Sequence, residues 1–175
     1  MGPTGQVASR GGRISKPAAL KAGHDLNLFD CERDEINAWL KEKARHALEA
    51  DTARVYVVCR GSKKVIAFYA LAAGGVARNE APGALRRNCP DPIPVIILAM
   101  LGVDKSEKGQ GIGQDLLSDA MRRSIQAAKI IGARALLVHA LDTKTAEYYV
   151  EHGFRAFDSK AETLFLSMKA IREHL

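Results

Sequence analysis

The first half of the sequence alternates between helical and extended patterns of apolar residues. Residues 29–50 repeat apolar side chains at helical spacing, with acidic residues in the first turn and Asp30 as the predicted N-cap. Two stretches rich in β-branched and aromatic residues follow, at 53–60 and 64–75, and the turn-like sequence between them predicts a hairpin. A short edge strand is predicted before the helix, over residues 14–20.

The second half of the chain alternates buried strands with helices. Residues 94–103 are the most apolar run, which is typical of a strand buried on both faces. An amphipathic helix is predicted over residues 111–131 and another buried strand over 133–141, and this βαβ order predicts that the two strands are parallel. A short helix over residues 143–152 and a last strand over 163–168, followed by a helical turn, complete the pattern.

These elements predict one α/β domain with a mixed central sheet and helices on both faces. A chain of 175 residues is long enough for one sizeable core and too short for two. We expect the domain to cover residues 13–175, with residues 1–12 as a flexible N-terminal arm. Residues 76–92 hold three of the six prolines and no periodicity, which predicts a long surface loop of the kind that often carries function.

Composition and charge narrow the functional classes. The longest apolar run is about ten residues, half of what a membrane-spanning helix needs, and no signal-like apolar core lies near the N-terminus, so we expect a soluble cytoplasmic protein. The three cysteines lack metal-binding or disulfide-framework spacing, so no metal site is predicted. The net charge of +6 favours phosphate-rich partners, either a nucleotide cofactor or a nucleic acid, without choosing between them.

A glycine-rich turn precedes the amphipathic helix, with Gly109, Gly111 and Gly113 at alternate positions. The sequence lacks a Walker loop, and the sixth position of a dinucleotide fingerprint starting at Gly109 is Gln114 rather than glycine. The remaining functional reading is an anion cradle made of backbone N–H groups at the helix N-terminus. A tight turn packed against the sheet is the structural alternative.

Residues 108–113, Lys-Gly-Gln-Gly-Ile-Gly, resemble the acyl-CoA motif of the GNAT acetyltransferases, in which Gln or Arg usually stands in place of Lys108. The similarity extends to the preceding strand and to the closing segment 149–154. It is closest to the GNAT toxins of type II toxin-antitoxin modules. Members of that branch acetylate the α-amine of the amino acid on charged tRNA, which blocks translation, and they pair with a ribbon-helix-helix antitoxin. Where such relatives commonly carry Arg in the central strand, this chain has Met100.

The resemblance implies a GNAT fold, acetyl-CoA as the acetyl donor, a homodimer and an antitoxin partner. It also implies a set of cofactor-binding residues, namely Leu101, Gly102, Val103, Lys108, Gly109, Gln110, Gly111, Ile112, Gly113 and Gln114. Tyr149 matches the tyrosine of the closing motif and is expected to donate a proton to the departing thiolate. Tyr148 faces about 100° away on the same helix, so a packing role is expected for it.

No compelling general base is evident from the sequence. His139 lies in a predicted buried strand and is expected to be a satisfied core histidine. An α-amine has a pKa of about 7.7 and a lysine side chain one of about 10.4, so the first needs less help to become neutral. The lack of an obvious base therefore favours an α-amine as acceptor.

Three arginines of the predicted long loop, Arg78, Arg86 and Arg87, are candidates for contacts with the phosphates of a tRNA acceptor end, because guanidinium groups suit phosphate geometry. The alternative is that they are solvated surface charges. Two other functions also remain open: a GNAT N-acetyltransferase acting on a protein or small-molecule amine, and a non-enzymatic basic nucleic-acid-binding module.

Overall fold

The strands form one mixed sheet in a computed structural model that describes residues 12–175. The predicted N-terminal arm lies outside the described residues, apart from Gly12. The strands are β1 Ala18–Ala19, β2 Arg54–Arg60, β3 Lys64–Val76, β4 Ile93–Val103, β5 Ala135–His139, β6 Arg155–Ala156 and β7 Thr163–Ser167. Their order across the sheet is β1-β2-β3-β4-β5-β7-β6. The β4 and β5 strands are parallel, as the βαβ pattern predicted, and all other neighbours are antiparallel.

Helices cover both faces of this sheet. They are α1 Asp34–Ala38, α2 Ala44–Glu49, α3 Gly83–Arg86, α4 Ile112–Ile131, α5 Thr143–Glu151 and α6 Met168–His174, and a π-helical segment, Trp39–Lys43, joins α1 to α2. Alternate residues of the strands point to opposite faces. Ile96 and Leu98 of β4 pack with α4, α5 and α6, while Val95 packs on the other face with the α3 segment. The α1–α2 region covers the same face as α3. The predicted mixed sheet with helices on both faces is confirmed.

The first helix begins later than its sequence pattern predicted. It starts at Asp34, and Asp30 is not its N-cap. Asp30 instead accepts hydrogen bonds from the Glu32 backbone and the Asn37 side chain. The physical reason is that Glu32 has a φ of 67°, which a right-handed helix cannot contain, while Phe29 is buried in the core.

Other boundaries also differ from the predictions. The edge strand of residues 14–20 shrinks to β1, which directly follows Pro17, because proline has no N–H to donate. The loop of residues 76–92 contains α3 and a 3₁₀ turn, Arg78–Glu80, so it is more ordered than predicted. The β6 strand, only two residues long, was not predicted.

A bulge in β4 opens the sheet at one end. Met100 lies opposite Ala70 of β3 and Leu98 lies opposite Leu71, so Ala99 is an extra residue in β4. Bulges bend the strand that carries them. The β4 strand pairs with β3 along its whole length, whereas it pairs with β5 only as far as Leu98. The last five residues of β4 therefore diverge from β5 and leave a gap in the sheet.

The residues that the structure describes contain neither a membrane-spanning helix nor a metal-binding cluster. No helix among residues 12–175 combines the length and the apolar character needed to cross a bilayer. In the same part of the chain, no cluster of His, Cys, Asp and Glu side chains is arranged to hold a metal ion. The three cysteines are free thiols.

Candidate active site

Two cavities meet where β4 diverges from β5. The smaller, of about 230 Å³, has Tyr149 and His139 in its walls. The larger, of about 540 Å³, lies at the N-terminus of α4 and includes the glycine-rich turn. Leu101, Val103 and Lys108 line both cavities. A ligand that reached from one cavity into the other would therefore run along the free edge of β4.

Two backbone N–H groups of β4 point into the gap. The Asp104 N–H donates to the Ile66 carbonyl of the β3 side at 2.7 Å. Because hydrogen-bonded residues alternate along an antiparallel pair, the Gly102 N–H also points toward β3. The N–H groups of Leu101 and Val103 then point the other way, toward the gap that β5 has left. Both are positioned as donors for a ligand.

Gly102 has a packing role that the motif comparison did not reveal. A Cβ on this residue would lie 2.9 Å from Cγ2 of Ile36 and 3.3 Å from the ring of Phe29. The missing side chain therefore lets the α1 segment approach the sheet closely. Gly102 lines the smaller cavity, although its N–H is directed toward β3 and not toward the gap.

The glycine-rich turn leaves the N-terminus of α4 open. Gly109 and Gly111 have φ values of 82° and 79°, which favour glycine. A Cβ on either residue would meet no atom within 4 Å, which counts against a turn closed by packing. The first backbone hydrogen bond of α4 runs from Asp115 to the Gly111 carbonyl. The N–H groups of residues 112–114 therefore have no partner within the helix and are directed toward the larger cavity. The helix dipole favours an anion at this position.

A buried carboxylate braces this turn. Glu107 is 5% exposed and accepts two hydrogen bonds of 2.7 Å from the guanidinium of Arg60. The side chain of Gln110 donates to the same carboxylate, also at 2.7 Å. Among the predicted cofactor-binding residues, Gln110 is the one that lines neither cavity. Its side chain instead stabilises the turn through the hydrogen bond to Glu107.

Two ion pairs lie beside the smaller cavity, on the side of the α1 segment. The Lys108 ammonium lies 3.1 Å from the Glu32 carboxylate, and the Arg33 guanidinium lies 2.6 Å from Asp142, the N-cap of α5. Hydrogen bonds from the backbone and side chain of Thr145, together with Arg33, lower the pKa of Asp142 to about 2. These groups are partly exposed, so each pair contributes little to stability. The Arg33–Asp142 pair matters because it holds Arg33 at the smaller cavity. Arg33 is a residue of this site that the sequence analysis did not predict.

Tyr149 and Tyr148 face different cavities, in agreement with their predicted divergence on the helix. Tyr149 is 4% exposed, packs edge-on against Phe154 and lines the smaller cavity. Burial, with a smaller contribution from Tyr148, raises the pKa of Tyr149, so the phenol is protonated at neutral pH. Within residues 12–175 its hydroxyl has no hydrogen-bond partner. Tyr148 lines the larger cavity instead, beside Gly113, so it does more than fill the core.

The expectation that His139 is a core histidine was wrong. Its side chain is exposed at the end of β5 and lines the smaller cavity with Tyr149. One ring nitrogen, Nδ1, lies 3.2 Å from the hydroxyl of Thr163. The buried pattern of β5 stops at Val138 because the sheet opens there. Its position at the carboxyl end of a parallel strand is the sequence signal that could have identified His139 as a site residue.

The three loop arginines lie far from these cavities. Arg78, Arg86 and Arg87 are exposed and precede β4, whereas the candidate site follows it. Seven or more residues of β4 separate the two ends, a distance of about 25 Å at the usual rise of a strand. Arg87 lines a separate cavity. The structure therefore does not bring these arginines together with Tyr149.

Comparisons with known proteins agree with this architecture. No protein-family model matches the chain. The chain is 40% identical to a protein of Mycobacterium tuberculosis named tRNA-acetylating toxin. The alignment extends over 158 residues and covers 90% of this chain and 95% of the relative.

Many solved structures share the fold, among them two of the protein AtaT. One is AtaT complexed with acetyl-methionyl-tRNAfMet, with a TM-score of 0.84, 27% identity and coverage of 93% of this chain and 99% of AtaT. The other is a tyrosine-to-phenylalanine mutant of AtaT bound to the C-terminus of the antitoxin AtaR and acetyl-CoA, with a TM-score of 0.80, 26% identity and coverage of 92% and 97%. The predicted GNAT fold is confirmed, and the chain belongs to the tRNA-acetylating toxins of the GNAT family.

Proposed function

We propose that this chain is a toxin that transfers an acetyl group from acetyl-CoA to the α-amine of the amino acid carried by a tRNA, and so blocks translation. One observation carries the proposal. The two cavities share Leu101, Val103 and Lys108, so a single donor can place its phosphates at the N-terminus of α4 and its thioester beside Tyr149. Membership of the tRNA-acetylating toxins supports the choice of acceptor.

The residues of the larger cavity fit the cofactor. The open N–H groups of Ile112, Gly113 and Gln114 suit a diphosphate, and the positive φ angles of Gly109 and Gly111 keep side chains out of its path. The edge of β4 suits the amide-rich arm, with the Val103 N–H as donor. When bound, acetyl-CoA supplies an acetyl group activated as a thioester.

The chain's own groups then have separate tasks. We assign the Leu101 N–H to the thioester carbonyl oxygen, where a fixed donor supports negative charge as it develops. Tyr149 carries a proton on its phenol oxygen, inside the smaller cavity. We assign it as the general acid that protonates the departing thiolate. The buried ring contacts fix the direction in which this proton is presented.

The smaller cavity fits an aminoacyl group. Ile36, Met100 and Leu141 contribute apolar wall for an amino-acid side chain. Met100 stands where relatives commonly carry arginine, so the cavity has a thioether there instead of a cation. Arg33 lines the same cavity and supplies a positive charge from another element. If Arg78, Arg86 and Arg87 contact tRNA phosphates, those phosphates lie at a distance from the end of the tRNA that carries the amino acid.

The partners follow from the family. AtaT binds the C-terminus of an antitoxin, which supports an antitoxin partner for this chain. We extend this to a ribbon-helix-helix antitoxin, a homodimeric toxin and a cytoplasmic location, as the sequence resemblance implies. Co-expression with a cognate antitoxin should abolish toxicity, and sedimentation of the purified toxin should give twice the chain mass.

The decisive experiment is mass spectrometry of total charged tRNA after incubation with the protein and acetyl-CoA. The expected product is an N-acetylated aminoacyl group on the terminal adenosine. Deacylated tRNA, a peptide mixture and polyamines are run in parallel. Acetyl label that appears only on peptides or polyamines, and never on charged tRNA, would contradict the proposed function.

A second candidate function has one observation in its favour. His139 lines the smaller cavity, and a general base there would suit a lysine-type amine, whose pKa is about 10.4. We predict that His139→Asn lowers kcat/KM for aminoacyl-tRNA by less than about threefold, because a substantial fraction of an α-amine with a pKa near 7.7 is neutral at cellular pH without a base. The measurement is the initial rate on purified charged tRNA. A loss of about 100-fold or more would show that His139 is a general base and would contradict this prediction.

A further inference from the structure

A second concave surface, lined by basic side chains, lies at the other end of β4. It is a cleft of about 540 Å³ whose charged lining consists of Arg87, Arg134, Lys169 and Arg172. We refer to these four residues as the basic cleft. They come from three separate segments, the loop before β4, the turn after α4, and α6. The cleft is therefore a product of the fold and not of a basic stretch of sequence.

The charges of the basic cleft are uncompensated. No acidic residue lines it. Some arginines that border other cavities are paired with a carboxylate, as Arg33 is with Asp142 and Arg123 is with Asp119. None of the four cleft cations has a carboxylate partner among residues 12–175. A concave surface of one sign concentrates ions of the opposite sign, so the cleft is suited to an anionic ligand.

Backbone contacts hold the walls of the cleft. The Arg134 N–H donates to the Pro94 carbonyl at the start of β4, at 2.8 Å, and the Arg134 carbonyl accepts from Met168 at the start of α6, at 3.0 Å. The Arg134 guanidinium also donates to the Arg87 carbonyl, at 3.4 Å. The three segments are thus joined at one residue, and the cleft is built in advance of any ligand.

The distance between the cleft and the candidate active site limits what the ligand can be. Arg134 is level with Pro94, seven residues before Leu101, which corresponds to about 25 Å of strand. The α4 helix runs from the larger cavity to the turn that carries Arg134, and its 20 residues span about 30 Å. Phosphates of a cofactor seated at the N-terminus of α4 cannot reach the cleft. A ligand that uses both sites must be an extended polyanion.

We propose that the basic cleft binds the sugar-phosphate backbone of the RNA substrate, several nucleotides away from the end that is acetylated. This inference rests on the proposed function, which supplies an RNA as substrate. Guanidinium groups contact phosphates without regard to base identity, so the cleft contributes affinity and register rather than sequence choice.

The test uses the double variant Arg134→Gln/Arg172→Gln of the full chain, with charged tRNA as the probe. We expect KM for charged tRNA to rise at least tenfold, with kcat and the dissociation constant of acetyl-CoA within about twofold of wild type. The slope of log affinity against log salt, measured by fluorescence anisotropy, should fall by about 1.5 to 2, as two lost phosphate contacts require. Arg134→Lys/Arg172→Lys should retain most of the binding, which checks that the fold and the charge are intact.

The matched control is Lys21→Gln/Lys63→Gln, which removes the same charge from two exposed lysines outside the cleft. It should change KM by less than about twofold and the salt slope by less than about 0.5, because no phosphate contact is lost. Unchanged KM and salt slope in the cleft variant would overturn the proposal. So would a variant that still binds tRNA normally but is no longer neutralised by its antitoxin, because the cleft would then bind an acidic protein segment. If wild type acetylates no tRNA yet the variant loses tRNA binding, the proposed function fails and the cleft stands.

Discussion

Replacing Tyr149 with phenylalanine is expected to lower kcat for tRNA acetylation by about 100- to 10,000-fold, the usual contribution of a positioned general acid. The substitution removes one hydroxyl and leaves the ring contacts with Phe154 and Tyr148 in place. The dissociation constant of acetyl-CoA should therefore stay within about twofold, since the larger cavity does not include Tyr149. Rates come from single-turnover acetylation of charged tRNA, and affinities from calorimetry.

The matched control for this prediction is Tyr148→Phe. Tyr148 lies beside Tyr149 in sequence but lines the other cavity, so loss of its hydroxyl should change kcat by less than about threefold. The pH profile gives a further check. Because burial raises the pKa of Tyr149, the acid remains protonated throughout the neutral and mildly alkaline range, and the wild-type rate should not fall as pH rises to about 10. If Tyr149→Phe retains full activity, or if both variants lose it equally, the acid must be another group.

Local chain signals predicted the part of the site that depends on neighbouring residues. The glycine-rich turn and the helix after it are adjacent in sequence, so their spacing predicted an anion cradle at the N-terminus of α4, with a turn packed against the sheet as the alternative. The parallel pairing of β4 and β5 followed from the βαβ order in the same way. The GNAT resemblance added the roles of these residues, which spacing could not supply.

The side of the smaller cavity depends on contacts between distant segments, and there the sequence was less informative. His139 continues the apolar run of β5, and only the bulge at Ala99 of β4 shows that the sheet opens beside it. Asp30 has the sequence pattern of a helix cap, but burial of Phe29 and the left-handed Glu32 keep the chain out of the helix until Asp34. Neither the bulge in β4 nor the left-handed conformation of Glu32 could be recognised from the neighbouring residues in the sequence.

The loop arginines illustrate a third situation, in which topology alone was informative. Residues before a strand and residues after it lie at opposite ends of the sheet, so Arg86 and Arg87 had to lie away from the turn at Gly109. What topology did not reveal is that Arg87 meets Arg134, Lys169 and Arg172 there. A charge cluster assembled from three segments becomes visible only in the folded chain.

Replacing Gly113 with aspartate should separate stability from cofactor binding, because the same carboxylate helps the first and opposes the second. A Cβ on Gly113 would lie 3.6 Å from the Tyr148 hydroxyl and 3.7 Å from Cγ2 of Val103, which are ordinary contact distances, and both residues line the larger cavity. A side chain there fits the fold and points toward the proposed diphosphate site. An acidic group in the first turn of a helix stabilises it by about 0.3–1 kcal/mol, so Tm should be unchanged or a few degrees higher.

In contrast to the stability, the affinity for acetyl-CoA should decrease in Gly113→Asp. Two like charges about 5 Å apart near a protein surface repel by about 3 kcal/mol, which predicts a dissociation constant at least 100-fold higher for Gly113→Asp. Gly113→Asn has nearly the same size without the charge and should lose only about tenfold, while Gly113→Ala tests the effect of the Cβ alone. Calorimetry with acetyl-CoA and thermal unfolding of the four proteins give both quantities. Equal losses for Asp and Asn would mean that the end of α4 does not hold an anion, and normal binding by the Asp variant would place the diphosphate elsewhere, because no other arrangement of charge at this helix end could tolerate it.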